Sequence, residues 1–296
     1  MEDRQFGRIH FICGENGGRY PFNHSLYIEG DAARVIIDPA SNLEKLKRLQ
    51  KKDGVDLVWL SHWHEDHIRY LYLFEDCPKW ISARDFPPLS DIEIFLNWYG
   101  LEEPGQRDHW KKEMLGTFNF QPQHKARFIE DDEKIDLGNI QVQVIATPGH
   151  TPGHLSFFFP AEEILFLGDY DLTSFGPWYG DVASSIEDTI KSIHRLKAIP
   201  AKRWITCHDT GLFEENPGDL WGSYENVIYE REAKLLEFLR RPRSLQEIAA
   251  AWLIYGKPRK PIEFFEFNER ALMKKHLDYL VRQGRVLRDK DIFSRL

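Results

Sequence analysis

Short apolar runs recur along the chain, and each ends abruptly in polar residues. Ala33–Asp38 (ARVIID), Val55–His62 (VDLVWLSH), Ile140–Thr147 (IQVQVIAT), Ile164–Asp169 (ILFLGD) and Arg203–His208 (RWITCH) have the length and β-branched content of strands. Between them, Leu43–Lys52, Ile92–Tyr99 and Ile186–Ala198 predict helices. In the last, Ile186, Ile190, Ile193 and Leu196 fall on one helical face, and Pro200 ends it. Strands and helices in this order predict a layered α/β body. The stretch Pro78–Gln123, rich in Pro, Trp and acidic residues, predicts an irregular surface excursion near the active face.

Beyond Pro217 the character changes. Tyr224–Leu239 (YENVIYEREAKLLEFL) predicts a helix, and Arg240–Arg243 (RRPR) a break. Ser244 and Glu247 form a capping-box pattern at the start of a short helix, Leu245–Leu253. Arg270–Gln283 predicts another helix and Gly284–Phe293 a short hairpin, an order that resembles a winged-helix module. The expected division is therefore a body over residues 1–216, a linking helix over 217–240 and a small helical module over 241–296.

Composition narrows the class. With 42% hydrophobic and 29% charged residues, wholesale disorder is excluded. No apolar run reaches the ~18–20 residues of a membrane span. The N-terminus, MEDRQFGRIHF, lacks a basic-then-apolar signal pattern, so a cytoplasmic protein without a membrane partner is expected. Cys13, Cys77 and Cys207 form no CxxC pair, which fits a reduced compartment; alternation along its strand places Cys207 in the core. The net charge is −8, yet residues 241–296 hold thirteen basic and seven acidic side chains, a net of +6 that leaves −14 on the rest. That asymmetry fits either a basic accessory module on an acidic catalytic body or clustered surface charge.

The histidines are clustered where the strands end. Ser61–His67 (SHWHEDH) gathers His62, His64, Asp66 and His67 just past one strand. Two histidines two apart can converge on one metal, and the Asp-His pair on the following turn can reach a second. Zinc takes imidazole nitrogen and carboxylate oxygen, and hydrolytic sites leave a position open for water. Thr147–His154 (TPGHTPGH) aims His150 back across the strand ends, Asp169 closes another strand with oxygens for two cations, and His208 ends a fifth. Each is weak alone; together they are seven ligand-type residues from four strand ends.

HxHxDH, a lone His after a strand, GD and a final His resemble the metallo-β-lactamase superfamily over about residues 5–215. The resemblance implies an α/β fold, a four-layer αβ/βα sandwich, here with a small C-terminal helical or winged-helix domain. It implies two divalent ions, Zn²⁺ first and Fe or Mn as alternatives. One is held by His62, His64 and His150, the other by Asp66, His67 and His208, with Asp169 bridging as in glyoxalase II. Asp38 matches the superfamily's early acidic position behind these ligands, and His154 is expected to support rather than ligate. The tail looks like that of the lactamase-beta-2-like branch.

The resulting expectation is a binuclear hydrolase in which a hydroxide shared by the ions attacks a small ester, thioester or related substrate, with Asp66 accepting a proton. The pocket wall is expected from Asn23, Trp63, Tyr170, Phe175, Trp178 and Tyr179, with the excursion around Trp98 and Trp110 next. An endoribonuclease holding single-stranded RNA on the basic tail is the alternative, and a non-catalytic metal-dependent binding protein a third reading. The tail could equally lid the site or join two copies as a homodimer.

Overall fold

The computed structural model describes residues 2–296. A first sheet runs in chain order through β1 (Arg4–Phe6), β2 (Ile9–Ile12), β3 (Ser25–Glu29), β4 (Arg34–Ile37), β5 (Leu57–Trp59), β6 (Lys79–Ile81) and β7 (Arg127–Phe128). Its first four strands pair antiparallel and β4 to β7 pair parallel. A second sheet contains β8 (Lys134–Asp136), β9 (Gln141–Ala146), β10 (Leu155–Phe159), β11 (Ile164–Gly168), β12 (Arg203–Thr206) and β13 (Leu212–Phe213), in the spatial order β13-β12-β11-β10-β9-β8.

The two sheets face each other. The central strands β4, β10 and β11 are buried on both sides, so they read as apolar runs instead of alternating ones. Alternation survives in where each side chain goes. Val35 and Ile37 of β4, with Ile164 and Phe166 of β11, enter the core between the sheets. Ile36 points outward beneath α1 (Leu43–Lys52), α2 (Glu65–Ile68), α3 (Phe86–Ser90), α4 (Ile92–Trp98) and α5 (Pro104–Gly116). Leu165 and Leu167 point the other way, beneath α6 (Ile186–Lys197) and α7 (Asp219–Phe238). The layers are helix, sheet, sheet, helix. Cys207 is buried in the inter-sheet core.

Helix ends follow local chemistry. The Asn42 side chain accepts the Lys45 N–H at the start of α1, and Ser185 does the same for Asp188 N–H at α6. Such a cap contributes about 1 kcal/mol. Ser244 and Glu247 make the reciprocal capping box at α8 (Leu245–Ala250).

Three departures from the sequence reading stand out. Pro78–Gln123 is not irregular: it supplies β6 and the helices α3, α4 and α5. The helix predicted from Arg270 begins two turns earlier, as α9 (Ile262–Arg282). The C-terminal hairpin of β15 (Val286–Asp289) and β16 (Ile292–Arg295) gains a third, two-residue strand, β14 (Arg243–Ser244). Leu235, Leu236 and Leu239 at the end of α7 share one cluster with Ile248, Met273, Leu277 and Phe293, while Leu272 of α9 joins a second with Tyr179, Ile186 and Ile228 of the body. Among the described residues no helix is long and apolar enough to cross a membrane.

The topology creates the site. β11 and β12 are parallel, and β9, two antiparallel steps from β11, shares their direction. β4 and β5 are parallel in the facing sheet. The C-terminal ends of these strands meet at one rim, and the candidate ligands follow them immediately.

Candidate metal centre

Three imidazole nitrogens point at one another. His62 Nε2 lies 3.0 Å from His64 Nδ1, and His150 Nε2 lies 3.2 Å from the first and 2.9 Å from the second. Asp169 Oδ2 approaches the same group, 3.7 Å from His62 Nε2 and 3.2 Å from His150 Nε2. Its other oxygen turns to a second group: Oδ1 is 3.0 Å from His67 Nε2 and 3.4 Å from His208 Nε2. Asp66 completes that group, with Oδ2 3.5 Å from His208 Nε2 and Oδ1 3.9 Å from His67 Nε2. One carboxylate thus spans two clusters.

The partners on the far side of each ring decide which nitrogen is offered. His62 Nδ1 pairs with Ser61 Oγ at 2.9 Å, and His67 Nδ1 with Asp38 Oδ2 at 2.9 Å. His150 Nδ1 donates to the Trp178 carbonyl at 3.0 Å, and His208 Nδ1 to that of Gly18 at 2.6 Å. In all four the nitrogen left facing the cluster is Nε2. His64 is reversed: its Nε2 is engaged by Asp181 Oδ2 at 2.9 Å, leaving Nδ1 for the cluster.

Asp38 organises the turn itself. Its φ of 51° places it in the left-handed region. From there its carboxylate accepts from Ser61 N–H at 2.8 Å and Ser61 Oγ at 2.6 Å as well as from His67. His154 stands behind Asp169, not among the converging atoms. Its Nε2 accepts the Asp169 N–H at 3.1 Å while Nδ1 pairs with Thr147 Oγ1 at 2.8 Å. Gly168, at φ 63°, packs against that ring, where a Cβ would collide with it.

Charge and burial make this arrangement fit a cation. Burial drives His62 and His64 well below the ordinary imidazole range. Burial opposes protonation of His67 and His208 too, but the Asp169 carboxylate overrides it and holds both well above that range. Burial opposes ionisation of Asp169, yet the surrounding histidines, His67 foremost, keep it well below the usual carboxylate range. His67 Nε2 and Asp169 Oδ1 are buried and make no hydrogen bond. Burying polar atoms this way is costly unless something coordinates them. Imidazole nitrogens and carboxylate oxygens converging in two groups are a donor set that divalent cations satisfy.

Several residues that the sequence reading left unassigned complete the surroundings. Asp181, fully buried, orients His64. Asp85 pins the turn bearing His150, accepting from Thr151 Oγ1 at 2.5 Å and Gly153 N–H at 2.6 Å. Glu65, inside the HxHxDH run but unassigned from sequence, accepts from Tyr20 Oη at 3.0 Å and Tyr99 Oη at 2.5 Å. Only this last residue had a local signal, a buried acid between two ligand-type residues.

The pocket over the clusters, about 300 Å³, takes in part of the expected wall. Phe175 and Trp178 line it. Asn23, Trp63, Tyr170 and Tyr179 do not; all four are buried in the fold. Asn23 donates to the Asp38 carbonyl, Trp63 packs edge-on against Phe95, Tyr170 Oη donates to backbone carbonyls at 147 and 148, and Tyr179 Oη meets His276. Trp110 lines it as expected, Trp98 does not, and Tyr99 with Phe264, Phe267 and Asn268 of α9 complete the wall. Trp178 is tied to α9 by its indole N–H, 3.0 Å from Asn268 Oδ1.

The chain is similar to known proteins in sequence and in fold. The family model described as the metallo-beta-lactamase superfamily matches residues 20–208. A probable metallo-hydrolase of Streptococcus pyogenes is 29% identical over 165 residues, covering 54% of this chain and 63% of its own. A hydroxyacylglutathione hydrolase of Prochlorococcus marinus is 26% identical over 190 residues, covering 62% and 60%. The chain thus spans under two thirds of the length of either relative. A metallo-beta-lactamase family protein from Thermus thermophilus superposes with a TM-score of 0.74 at 21% identity, over 98% of this chain and 99% of that one, a likeness of fold.

Proposed function

We propose, from the premise that this chain belongs to the metallo-beta-lactamase superfamily and is a metal-dependent hydrolase, that its centre is binuclear and cleaves a small ester or thioester. The observation that carries the reading is the division of Asp169, one oxygen toward His62 and His150 and the other toward His67 and His208. Five imidazoles and two carboxylates suit Zn²⁺, and Fe or Mn is compatible with them. When bound, a pair of such cations supplies Lewis acidity and brings the pKa of water to about 7.

The protein does the rest. The Asp38, Asp181, Ser61, Trp178 and Gly18 partners hold five rings in fixed tautomers, so little reorganisation accompanies turnover. Asp66 lies on the pocket floor, where its carboxylate can take the proton released from the nucleophile and deliver it to the leaving group. Tyr99, Trp110 and Trp178 give an apolar wall that keeps bulk water away from the reacting centre. The name of the Prochlorococcus relative supports an acyl group as the part attacked.

The C-terminal residues at the pocket favour a small substrate over RNA. Tyr255, Phe264, Phe267 and Asn268 reach it, and none is cationic, so the +6 charge of that segment is spent elsewhere. A metal-replete preparation tested on esters, thioesters, lactones and phosphodiesters is expected to hydrolyse acyl substrates, to lose this with chelator and regain it with metal. Asp66→Asn should lower kcat by roughly 10²–10⁴-fold at little change in KM. Turnover confined to oligonucleotides would overturn the reading.

A further inference from the structure

Beside the metal pocket lies a larger cavity. This second space, about 840 Å³, lies between α5 and the first turns of α9, and Tyr20, Trp110, Phe264 and Phe267 belong to the walls of both. A run of aromatic contacts follows the lining from one to the other. The His64 ring stacks on Tyr99 at 5.5 Å, and Tyr99 on Trp110 at 5.9 Å. Trp110 meets Phe264 at 6.1 Å, Phe264 meets Tyr20 at 5.5 Å, and Tyr20 meets Phe118 at 6.0 Å. Tyr20 is held at the junction by its hydrogen bond to Glu65, the neighbour of Asp66.

We propose that this cavity is an acyl-chain channel: the substrate is a straight-chain acyl ester or thioester whose carbonyl sits at the metal cluster and whose hydrocarbon tail runs past Trp110 and Phe264 into the space between α5 and α9. The proposal rests on the hydrolase reading above and names its substrate class. Three features select a hydrocarbon tail. The inner walls are rings of Phe118, Phe264, Phe265 and Phe267, which offer contact area and no directional partner for a peptide backbone. The polar groups Gln106, His109, Lys260 and Glu263 are exposed at the mouth. With Glu113 beside them, these groups give no positive surface for a polyanion. An aromatic cavity that shares walls with a reactive centre is where a chain attached to the scissile carbonyl gains most by leaving water.

The test is binding of butanoate, hexanoate, octanoate and decanoate to the full-length zinc-loaded protein by calorimetry, with kcat/KM for the matching acyl thioesters. Affinity and kcat/KM are expected to rise about threefold or more for each two carbons added, since each buried methylene contributes favourably. Gln106→Trp and Glu263→Trp fill the channel from opposite walls at exposed positions, and either should flatten the dependence on chain length. A chain-length dependence in carboxylate binding without thioester turnover would uphold the channel and overturn the hydrolase reading. Binding independent of chain length in the wild type, or a slope undiminished in folded Gln106→Trp and Glu263→Trp proteins, would overturn the channel.

Discussion

At the scale of single residues, the centre depends on each imidazole offering the correct nitrogen. His64 is the exception among the five, presenting Nδ1 because Asp181 engages its Nε2. Removing that partner should let the ring turn or swap tautomer. Asp181→Ala is therefore expected to weaken metal binding by about 10–100-fold, measured by competition with a chelating dye, while the circular dichroism spectrum stays native. Undiminished affinity would show that packing alone positions His64. The seven ligand-type residues could be read from the chain because they sit within a few residues of strand ends and carry a chemistry that few other arrangements use. Asp181 and Asp85 could not: their partners lie 117 and 66 positions away, as His64 and Thr151, so nothing local betrays them.

Among the elements, legibility followed apolar pattern. β5, β11 and β12 were visible because burial on both faces leaves apolar runs, and β9 because Val142 and Val144 alternate with more exposed glutamines. α5 was hidden because Met114 is its only fully buried side chain and Pro104–Gly105 at its start reads as a turn. The first turns of α9 were hidden by Phe264, Phe265 and Phe267, which suit strands and here line cavities. That helix also carries a pH response. His276 accepts from Tyr179 Oη at 2.8 Å, and burial, with Arg231 adding repulsion, lowers its pKa to about 3. Above the unfolded value of about 6.5 both states are neutral there and the stabilisation is complete. As pH falls from 6.5 toward 3 the unfolded chain gains a proton that the fold refuses, costing about 1.4 kcal/mol per pH unit. His276→Gln should remove this contribution, so its melting temperature should fall less between pH 7 and pH 5 than that of the wild type. Parallel losses in the two proteins would contradict the assignment.

For the whole molecule, the basic C-terminal segment packs against the body that holds the candidate site. Beyond the pocket wall it lends, Lys275 of α9 donates to the carbonyls of Val182 at 2.7 Å and Ser184 at 3.0 Å, bracing the loop that bears Asp181. Its core is shared with the end of α7. Truncation after Arg240 should therefore abolish hydrolysis of even a short acyl thioester and leave a protein prone to aggregation, because Leu235, Leu236 and Leu239 lose their cover. Full activity in the truncated protein would place the catalytic unit entirely within the two sheets and their helices.

The most direct test of the account is the number of metal ions bound per chain. Elemental analysis of the purified protein beside Asp169→Ala should find about two divalent ions in the wild type and a clear loss in the variant, since one carboxylate faces both imidazole clusters. A single ion in the wild type, or occupancy unchanged by Asp169→Ala, would contradict a binuclear centre bridged by that residue.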